Sequence, residues 1–276
     1  MGNEALASGN LSEAARCYEQ GVAAHPDDAA LRLNLGYALL ELGQFPAAAQ
    51  RLEQALALRR PGDGCAPHEA HYLLGRARVG MGRLEHAFAS FDAATRAQPE
   101  FTEALEEGAR LLHQLKRHED AVEWARRLVR LQPNAFHRIL LATELSQCAR
   151  HEEALEVIGQ VCAEEPANVE AASLRFGELM KLQRLADALQ EMDRVLALTG
   201  PTADLLVNRS LPLERLGRHD EALDATAQAL ALQPNRRDAL VNRTTILLAQ
   251  GARRRPGPRR RKGWPPIPRT PTCTGP

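Results

Sequence analysis

Apolar side chains recur at helical spacings through most of this chain. The clearest stripe has steps of four and three residues and consists of Leu31, Leu35, Leu39 and Leu42. A second stripe with the same kind of spacing follows and consists of Ala48, Leu52, Ala55 and Leu56. Such spacing is typical of amphipathic helices. Between the stripes, Gly43 is predicted to end the first helix, and Pro46 to occupy the first position of the second.

This two-helix pattern repeats along the chain. One alanine column shows the period: Ala14, Ala48, Ala87, Ala121, Ala154, Ala188 and Ala222. Its members are 33 or 34 residues apart, except for one gap of 39 that contains the Pro/Gly-rich insert 61–67. Twelve residues before each alanine lies a position that is small in all but one repeat, which we name the small column: Gly2, Gly36, Gly75, Ala109, Ala142, Phe176 and Ser210. One helix pair cannot bury its own apolar face, so stacked pairs and a solenoid are predicted.

These residues resemble the tetratricopeptide repeat, whose period and Leu-Gly, Ala, Phe and Pro positions they share. Leu74-Gly75, Ala87 and Phe91 match that pattern closely. The resemblance implies an all-α fold: an α-solenoid of about seven helix-turn-helix repeats in a right-handed superhelix. The expected repeats are about 1–28, 29–62, 68–101, 102–134, 135–168, 169–202 and 203–236, with a lone terminal helix over 237–250. We expect irregular packing at Phe176, which is bulky, and at Pro212, which falls inside a first helix.

The two ends of the array look incomplete. The first repeat begins with a short helix over 2–7, and Ile246, Leu247 and Leu248 lie on a last helix without a visible cover. Residues 252–276 hold eight basic residues, no acidic residue and seven prolines. We expect them to form a disordered basic tail, and we hypothesise that the array belongs to a longer one whose reading frame changes near Gly251.

Composition changes this picture in one respect. The formal net charge is +0, yet residues 1–251 hold 27 basic and 35 acidic residues once the tail is set aside. An acidic body is therefore joined to a basic tail. The five scattered cysteines favour a reducing, cytoplasmic setting. No apolar run approaches the roughly 20 residues of a membrane span, so no membrane association is expected.

Candidate catalytic and metal-binding residues are few. Three Arg-His-acid strings, at 117–120, 150–153 and 218–221, precede the alanine column in the same phase and are predicted to open second helices. Cys65, His68 and His71 have zinc-like spacing but lack a fourth ligand, so no metal is predicted. Phosphate-binding loops and nucleophile elbows are also missing. We therefore expect no enzyme activity, no cofactor and no small-molecule substrate.

The resemblance implies a concave groove, lined by the first helices, that binds a peptide or a partner protein. The predicted groove residues are Asn34, Tyr37, Glu41, Tyr72, Arg76, Glu107, Arg110, Asn208 and Asn242. Asn34, Asn208 and Asn242 share one phase. In the tetratricopeptide arms of bacterial O-GlcNAc-transferase-like and sulfotransferase proteins, asparagines in this phase hold a peptide backbone. The lysine, asparagine and arginine set that clamps chaperone tails is missing.

The sequence thus predicts a non-catalytic protein-protein interaction scaffold. Two alternatives stay open. In the first, the chain is a substrate-recruiting arm of a larger glycosyltransferase or sulfotransferase. In the second, its basic tail binds anions or nucleic acid electrostatically. A protein or peptide partner is expected, and a nucleic acid partner is not.

Overall fold

The computed structural model describes the backbone of residues 1–254 and the side chains of residues 1–250. Within this part of the chain every regular element is an α-helix, as predicted. The helices are α1 (Gly2–Ala7), α2 (Leu11–Ala24), α3 (Ala29–Glu41), α4 (Phe45–Leu58), α5 (Pro67–Gly80), α6 (Leu84–Ala97), α7 (Thr102–Gln114), α8 (His118–Leu131), α9 (Ala135–Gln147), α10 (His151–Glu164), α11 (Val169–Lys181), α12 (Leu185–Thr199), α13 (Ala203–Arg215), α14 (His219–Leu232) and α15 (Arg237–Arg254). They divide between two compact units, Met1–Leu182 and the residues from Gln183 onward.

The turn between the two helices of each pair contains one residue in the left-handed region, always in the same phase. These residues are Gly9, Gly43, Gly82, Lys116, Ala149, Gln183 and Gly217. Glycine adopts this conformation without a steric cost, which explains four of the seven turns. Pro46 is the second residue of α4, not the first as predicted, because Phe45 begins that helix.

Side chains also fix where several first helices begin. Asp28 caps α3 by accepting a hydrogen bond from the Leu31 amide at 2.9 Å. Asn134 and Asn168 cap α9 and α11 in the same way. These bonds satisfy amide groups that have no partner inside the helix, so the helix start is well defined.

Close approach of paired helices explains the small column. A Cβ atom added to Gly36 would lie 2.6 Å from Leu52, and one added to Gly75 would lie 2.5 Å from Phe91. Leu52 and Phe91 are almost fully buried. Each glycine therefore provides the space that a large side chain of the partner helix fills.

Phe176 and Pro212, where irregular packing is expected, both lie inside continuous helices. Pro212 is buried inside α13, which continues through it as one 13-residue helix. Phe176 is buried in α11, also 13 residues long, and the neighbouring Gly177 has no atom within 4 Å of its would-be Cβ position. Both helices are therefore continuous at these positions, and irregular packing around them stays a prediction.

The C-terminal end of the described chain departs from the prediction in two ways. Helix α15 continues to Arg254, so its backbone extends past the expected end at residue 250. Ile246 is 1% exposed and packs with Leu189, Leu213 and Ala222, whereas Leu247 and Leu248 are exposed. Residues 255–276, most of the predicted tail, lie outside the described part of the chain.

Within residues 1–254, none of the helices combines the length and the apolar character that crossing a lipid bilayer requires.

Candidate functional site

Three of the predicted groove residues line one pocket of the first unit. We name this cavity of about 310 Å³ the aromatic pocket; its walls are Leu33, Asn34, Tyr37, Glu69, Tyr72, Leu73, Phe101 and Glu103. The Tyr72 ring meets the Phe101 ring edge-on at 5.2 Å. Burial raises the pKa of the Tyr72 phenol, which therefore stays a neutral hydrogen-bonding group. Phe101, the residue before α7, was not predicted to belong to this site.

Glu41 and Arg76, two further predicted residues, pair with each other. The Arg76 guanidinium lies 3.1 Å from a Glu41 carboxylate oxygen and joins α5 to α3. Its central carbon also lies 5.9 Å from the centre of the Tyr72 ring. Arg76 thus carries a charge beside the aromatic pocket without being one of its walls.

A second pocket of the first unit is larger and more apolar. We name this cavity of about 480 Å³ the apolar pocket; its walls are Arg110, His113, Ala135, Phe136, Ile139, Leu140, Thr143, Glu144, Asn168 and Glu170. The first helices α7, α9 and α11 supply nearly all of them. Phe136 is 49% exposed, and the Arg110 guanidinium lies 5.5 Å from its ring centre. Sequence reasoning found Arg110 here and missed the apolar side chains of α9.

Ion pairs hold Arg110 at the edge of this pocket. Arg110 lies 3.1 Å from Glu107 and 3.7 Å from Glu106 on its own helix. Glu106 in turn lies 2.9 Å from Nε2 of His137, a buried residue of α9. Glu107, a predicted groove residue, contacts Arg110 but does not line the pocket.

The two remaining predicted asparagines lie in the second unit. The Asn242 amide donates a hydrogen bond to the Ser210 hydroxyl at 3.2 Å, and both line a small cavity of about 50 Å³. Asn208 is half-buried on α13. Asn242 thus has a partner inside its own unit.

A buried carboxylate is the feature of the first unit that the sequence reasoning missed. Glu144 of α9 is fully buried. Its Oε1 lies 2.7 Å from Nδ1 of His113, and its Oε2 lies 2.9 Å from Nδ1 of His118. His113 lies in the last turn of α7 and His118 begins α8, so the adjoining ends of these two helices bring both rings to Glu144 on the next first helix. We name these three residues the His-Glu cluster.

The next repeat contains a related arrangement around Glu178, which is also fully buried. Glu178 accepts hydrogen bonds from Ser146 at 2.7 Å and from Lys181 at 2.9 Å, and it lies 2.7 Å from Nδ1 of His151. Burial alone would raise the pKa of Glu178, but the bonds from Lys181, Ser146 and His151 lower it on balance. We name this set the Lys-Glu cluster.

The Arg-His-acid strings do open second helices, as predicted. They lie at the starts of α8, α10 and α14, where Arg150 pairs with Glu153 and Arg218 with Glu221, both at 2.7 Å. Their histidines have a further role that the sequence did not indicate, because His118 and His151 reach the buried carboxylates. The ring nitrogens of His219 are buried without a hydrogen-bond partner among the described residues.

The loop insert gathers no ligand set. His68 packs edge-on against Phe101 at 5.0 Å, and burial lowers the pKa of His71. Within the described residues, the metal-compatible group of three lies elsewhere, at His113, His118 and Glu144.

Comparison with known families decides the identity of the fold. Residues 1–65, 72–136 and 174–237 match the model of the tetratricopeptide repeat. The chain belongs to the tetratricopeptide repeat (TPR) family. A search of curated protein sequences gave no match to this TPR chain.

Solved TPR structures share its architecture at low sequence identity. The C-terminal part of a TPR repeat-containing protein from Cytophaga hutchinsonii is 12% identical with a TM-score of 0.72, covering 87% of this chain and 97% of that one. YrrB, described as a TPR protein with an unusual peptide-binding site, is 18% identical with a TM-score of 0.52, covering 84% and 100%. The structure of Naa15/Naa10 bound to HypK-THB contains a chain 15% identical, with a TM-score of 0.64. That match covers 89% of this chain but only 38% of the other.

Proposed function

We propose that this TPR chain is a non-catalytic interaction scaffold that binds a peptide segment of a partner protein on the first helices of residues 1–182. The apolar pocket carries the proposal. It opens between α7, α9 and α11, and it leaves half of the Phe136 side chain uncovered. Large aromatic side chains left exposed in a concave apolar site are typical of binding surfaces.

The walls indicate what kind of peptide would bind. Phe136, Ile139 and Leu140 offer an apolar floor for one large aliphatic or aromatic side chain. At its rim, the Arg110 guanidinium has more N–H donors than its ion pairs with Glu106 and Glu107 use, and these donors suit peptide carbonyl groups. In the aromatic pocket, Glu69 and Glu103 stand beside Tyr72, a combination that favours a basic side chain.

Two further observations support the proposal. TPR proteins in general bind proteins or peptides, and YrrB has a described peptide-binding site. Cys17, Cys65 and Cys148 are free thiols, which fits a reducing cytoplasmic setting. The groove residues predicted in the second unit, Asn208 and Asn242, stay a prediction.

A displayed library of random peptides, selected on the full chain, supplies the probe for a test. The enriched peptide is then titrated by fluorescence anisotropy against the wild type, Phe136→Ala and Leu131→Ala. Leu131 is an exposed apolar residue of α8 that does not line the pocket, so it is the matched control. We expect Phe136→Ala to raise Kd by about tenfold or more and Leu131→Ala to leave it unchanged. Equal Kd values for the wild type and Phe136→Ala would contradict the proposal.

A further inference from the structure

We propose that the His-Glu cluster is a binding site for a zinc-class divalent metal ion, with His113, His118 and Glu144 as ligands. This inference is independent of peptide binding. It starts from the ligand set, because two imidazoles and one carboxylate are a combination that zinc uses where a fourth position is left open.

The three ligand atoms already converge on one point. Nδ1 of His113 and Nδ1 of His118 lie 2.7 and 2.9 Å from the two oxygens of Glu144, and the three groups lie within 4.8 Å of one another. Ligand atoms around a tetrahedral zinc ion lie about 3.3 Å apart, given Zn–N and Zn–O bonds of about 2.0–2.2 Å. Small side-chain rotations of the two histidines would therefore admit the ion.

The negative charge of the buried Glu144 carboxylate requires a compensating cation. Glu144 is fully buried, and a buried carboxylate is costly unless a positive group compensates it. Among the described residues, the charged partners found for Glu144 are His113 and His118, which carry charge only when protonated. Arg110 lines the same pocket but already pairs with Glu106 and Glu107. The positive charge thus comes from a proton on an imidazole or from a bound metal ion.

The Lys-Glu cluster of the next repeat is an internal comparison. There Ser146 stands in place of His113, and Lys181 supplies the positive charge directly, 2.9 Å from Glu178 and 2.6 Å from Ser146. The residue equivalent to Lys181 in the His-Glu cluster is Gln147, which is neutral and exposed. The two clusters thus differ at two positions. The Lys-Glu cluster has serine and lysine, and the lysine ammonium compensates the carboxylate. The His-Glu cluster has histidine and glutamine, which give it a third possible metal ligand and no ammonium group.

Access to the site is open on one side. The His113 side chain is 49% exposed and the His118 side chain 23% exposed. His113 and Glu144 both line the apolar pocket, so an ion can enter from it and retain a water molecule there as fourth ligand. Zinc would therefore lie in the wall of the apolar pocket, between α7, α9 and α11.

Isothermal titration of the full chain with zinc chloride in chelator-treated buffer tests the proposal, with magnesium chloride as a control for nonspecific cation binding. We expect saturable binding of one zinc ion per chain and none of magnesium, because hard cations prefer oxygen ligands. Zinc affinity should fall as pH decreases, since the histidines must be unprotonated to bind. Absence of saturable binding up to about 1 mM zinc would overturn the proposal.

Two variants locate the ion. His113→Ser copies the next repeat and should raise the zinc Kd by about tenfold or more. Gln147→Lys copies Lys181 and should abolish zinc binding while the helical circular dichroism stays intact. His151→Ser, in the Lys-Glu cluster, is the matched control and should leave the zinc Kd unchanged. Unchanged zinc binding in both His113→Ser and Gln147→Lys would overturn the proposal.

A measurement on the wild type alone guards against a variant that fails to fold. X-ray absorption at the zinc edge of the loaded chain should show nitrogen and oxygen ligands with the scattering pattern of imidazole. A sulfur ligand would place the ion at a cysteine and contradict the assignment.

Discussion

The paired helices of the two units pack by different means at the same repeat position. In the first unit, Gly36 faces Leu52 and Gly75 faces Phe91, so one side supplies the space and the other fills it. In the second unit the equivalent residues are Ser210 and Thr226, both fully buried. Their hydroxyls donate to carbonyls of their own helices, Val207 at 2.7 Å and Leu223 at 2.9 Å.

The difference shows that the same repeat position accepts different residue pairs. A glycine with a phenylalanine, or a serine with a threonine, fills the same position between two helices. The first arrangement depends on apolar burial and on an absent Cβ, whereas the second depends on hydroxyl groups whose hydrogen bonds are made locally. Substitutions at these positions should therefore differ in the size of the stability loss.

The largest effect is expected at Phe91. Phe91→Ala removes a side chain that is 1% exposed and should lower the free energy of unfolding by about 3–5 kcal/mol. Urea denaturation followed by circular dichroism measures it. A loss below about 1 kcal/mol would mean that the neighbouring helices close the cavity at little cost.

The next effect is expected at Gly75, the partner of Phe91. Gly75→Ala places a Cβ 2.5 Å from the Phe91 ring and should cost about 1–3 kcal/mol in the same urea experiment. Gly75→Ala should cost clearly less in the Phe91→Ala background, because the clash is gone. Equal costs in the two backgrounds would show that the two residues are not coupled.

A helical glycine outside this column should respond in the opposite direction. Gly159 lies inside α10, and no atom lies within 4 Å of its would-be Cβ position. Gly159→Ala should raise the free energy of unfolding by up to about 1 kcal/mol, because alanine loses less backbone freedom in a helix. Thermal denaturation would register an increased Tm, and a decreased Tm would contradict this account.

The smallest effect is expected in the second unit. Ser210→Ala keeps the volume of the position and removes a hydroxyl that bonds its own helix and accepts from Asn242. The loss should be about 0.5–1 kcal/mol. Asn242→Ala is the companion variant. A loss of the size predicted for Phe91→Ala would show that the hydroxyl network, and not the volume, holds this helix pair.

Much of the fold was predictable from the sequence because its signals are local and repeated. Gly43 has equivalents at Gly9, Gly82 and Gly217, and the alanine column recurs at a nearly constant period, so the repeats support one another. Tyr37 and Tyr72 were placed on first helices in the same way. Helix α15 was predicted too short because its end depends on residues with no repeat equivalent.

The buried carboxylates were not predictable by the same reasoning, because their histidine partners are 26 to 31 residues away and on other helices. Glu144 and Glu178 do leave one trace. Each lies two residues after the small column, a buried position that Ala38, Ala77 and Leu111 occupy in earlier repeats. An acidic residue in an apolar column, with a histidine opening the preceding second helix, is the signal that would have identified both clusters.

The left-handed turn residues have a consequence for the order in which parts of the molecule open. Lys116 and Ala149 occupy the left-handed turn position that Gly43 and Gly82 occupy in other repeats. A residue with a side chain in this conformation lowers the stability of the fold by about 1–2 kcal/mol relative to glycine. The hairpins that contain these two turns depend more on docking against their neighbours than the glycine hairpins do. We expect amide hydrogen exchange by local opening to be faster there than in the hairpins of Gly43 and Gly82, in the same stretch that forms the apolar pocket and the His-Glu cluster. A ligand that binds and stabilises this stretch would slow its hydrogen exchange, so binding could be detected without an activity assay.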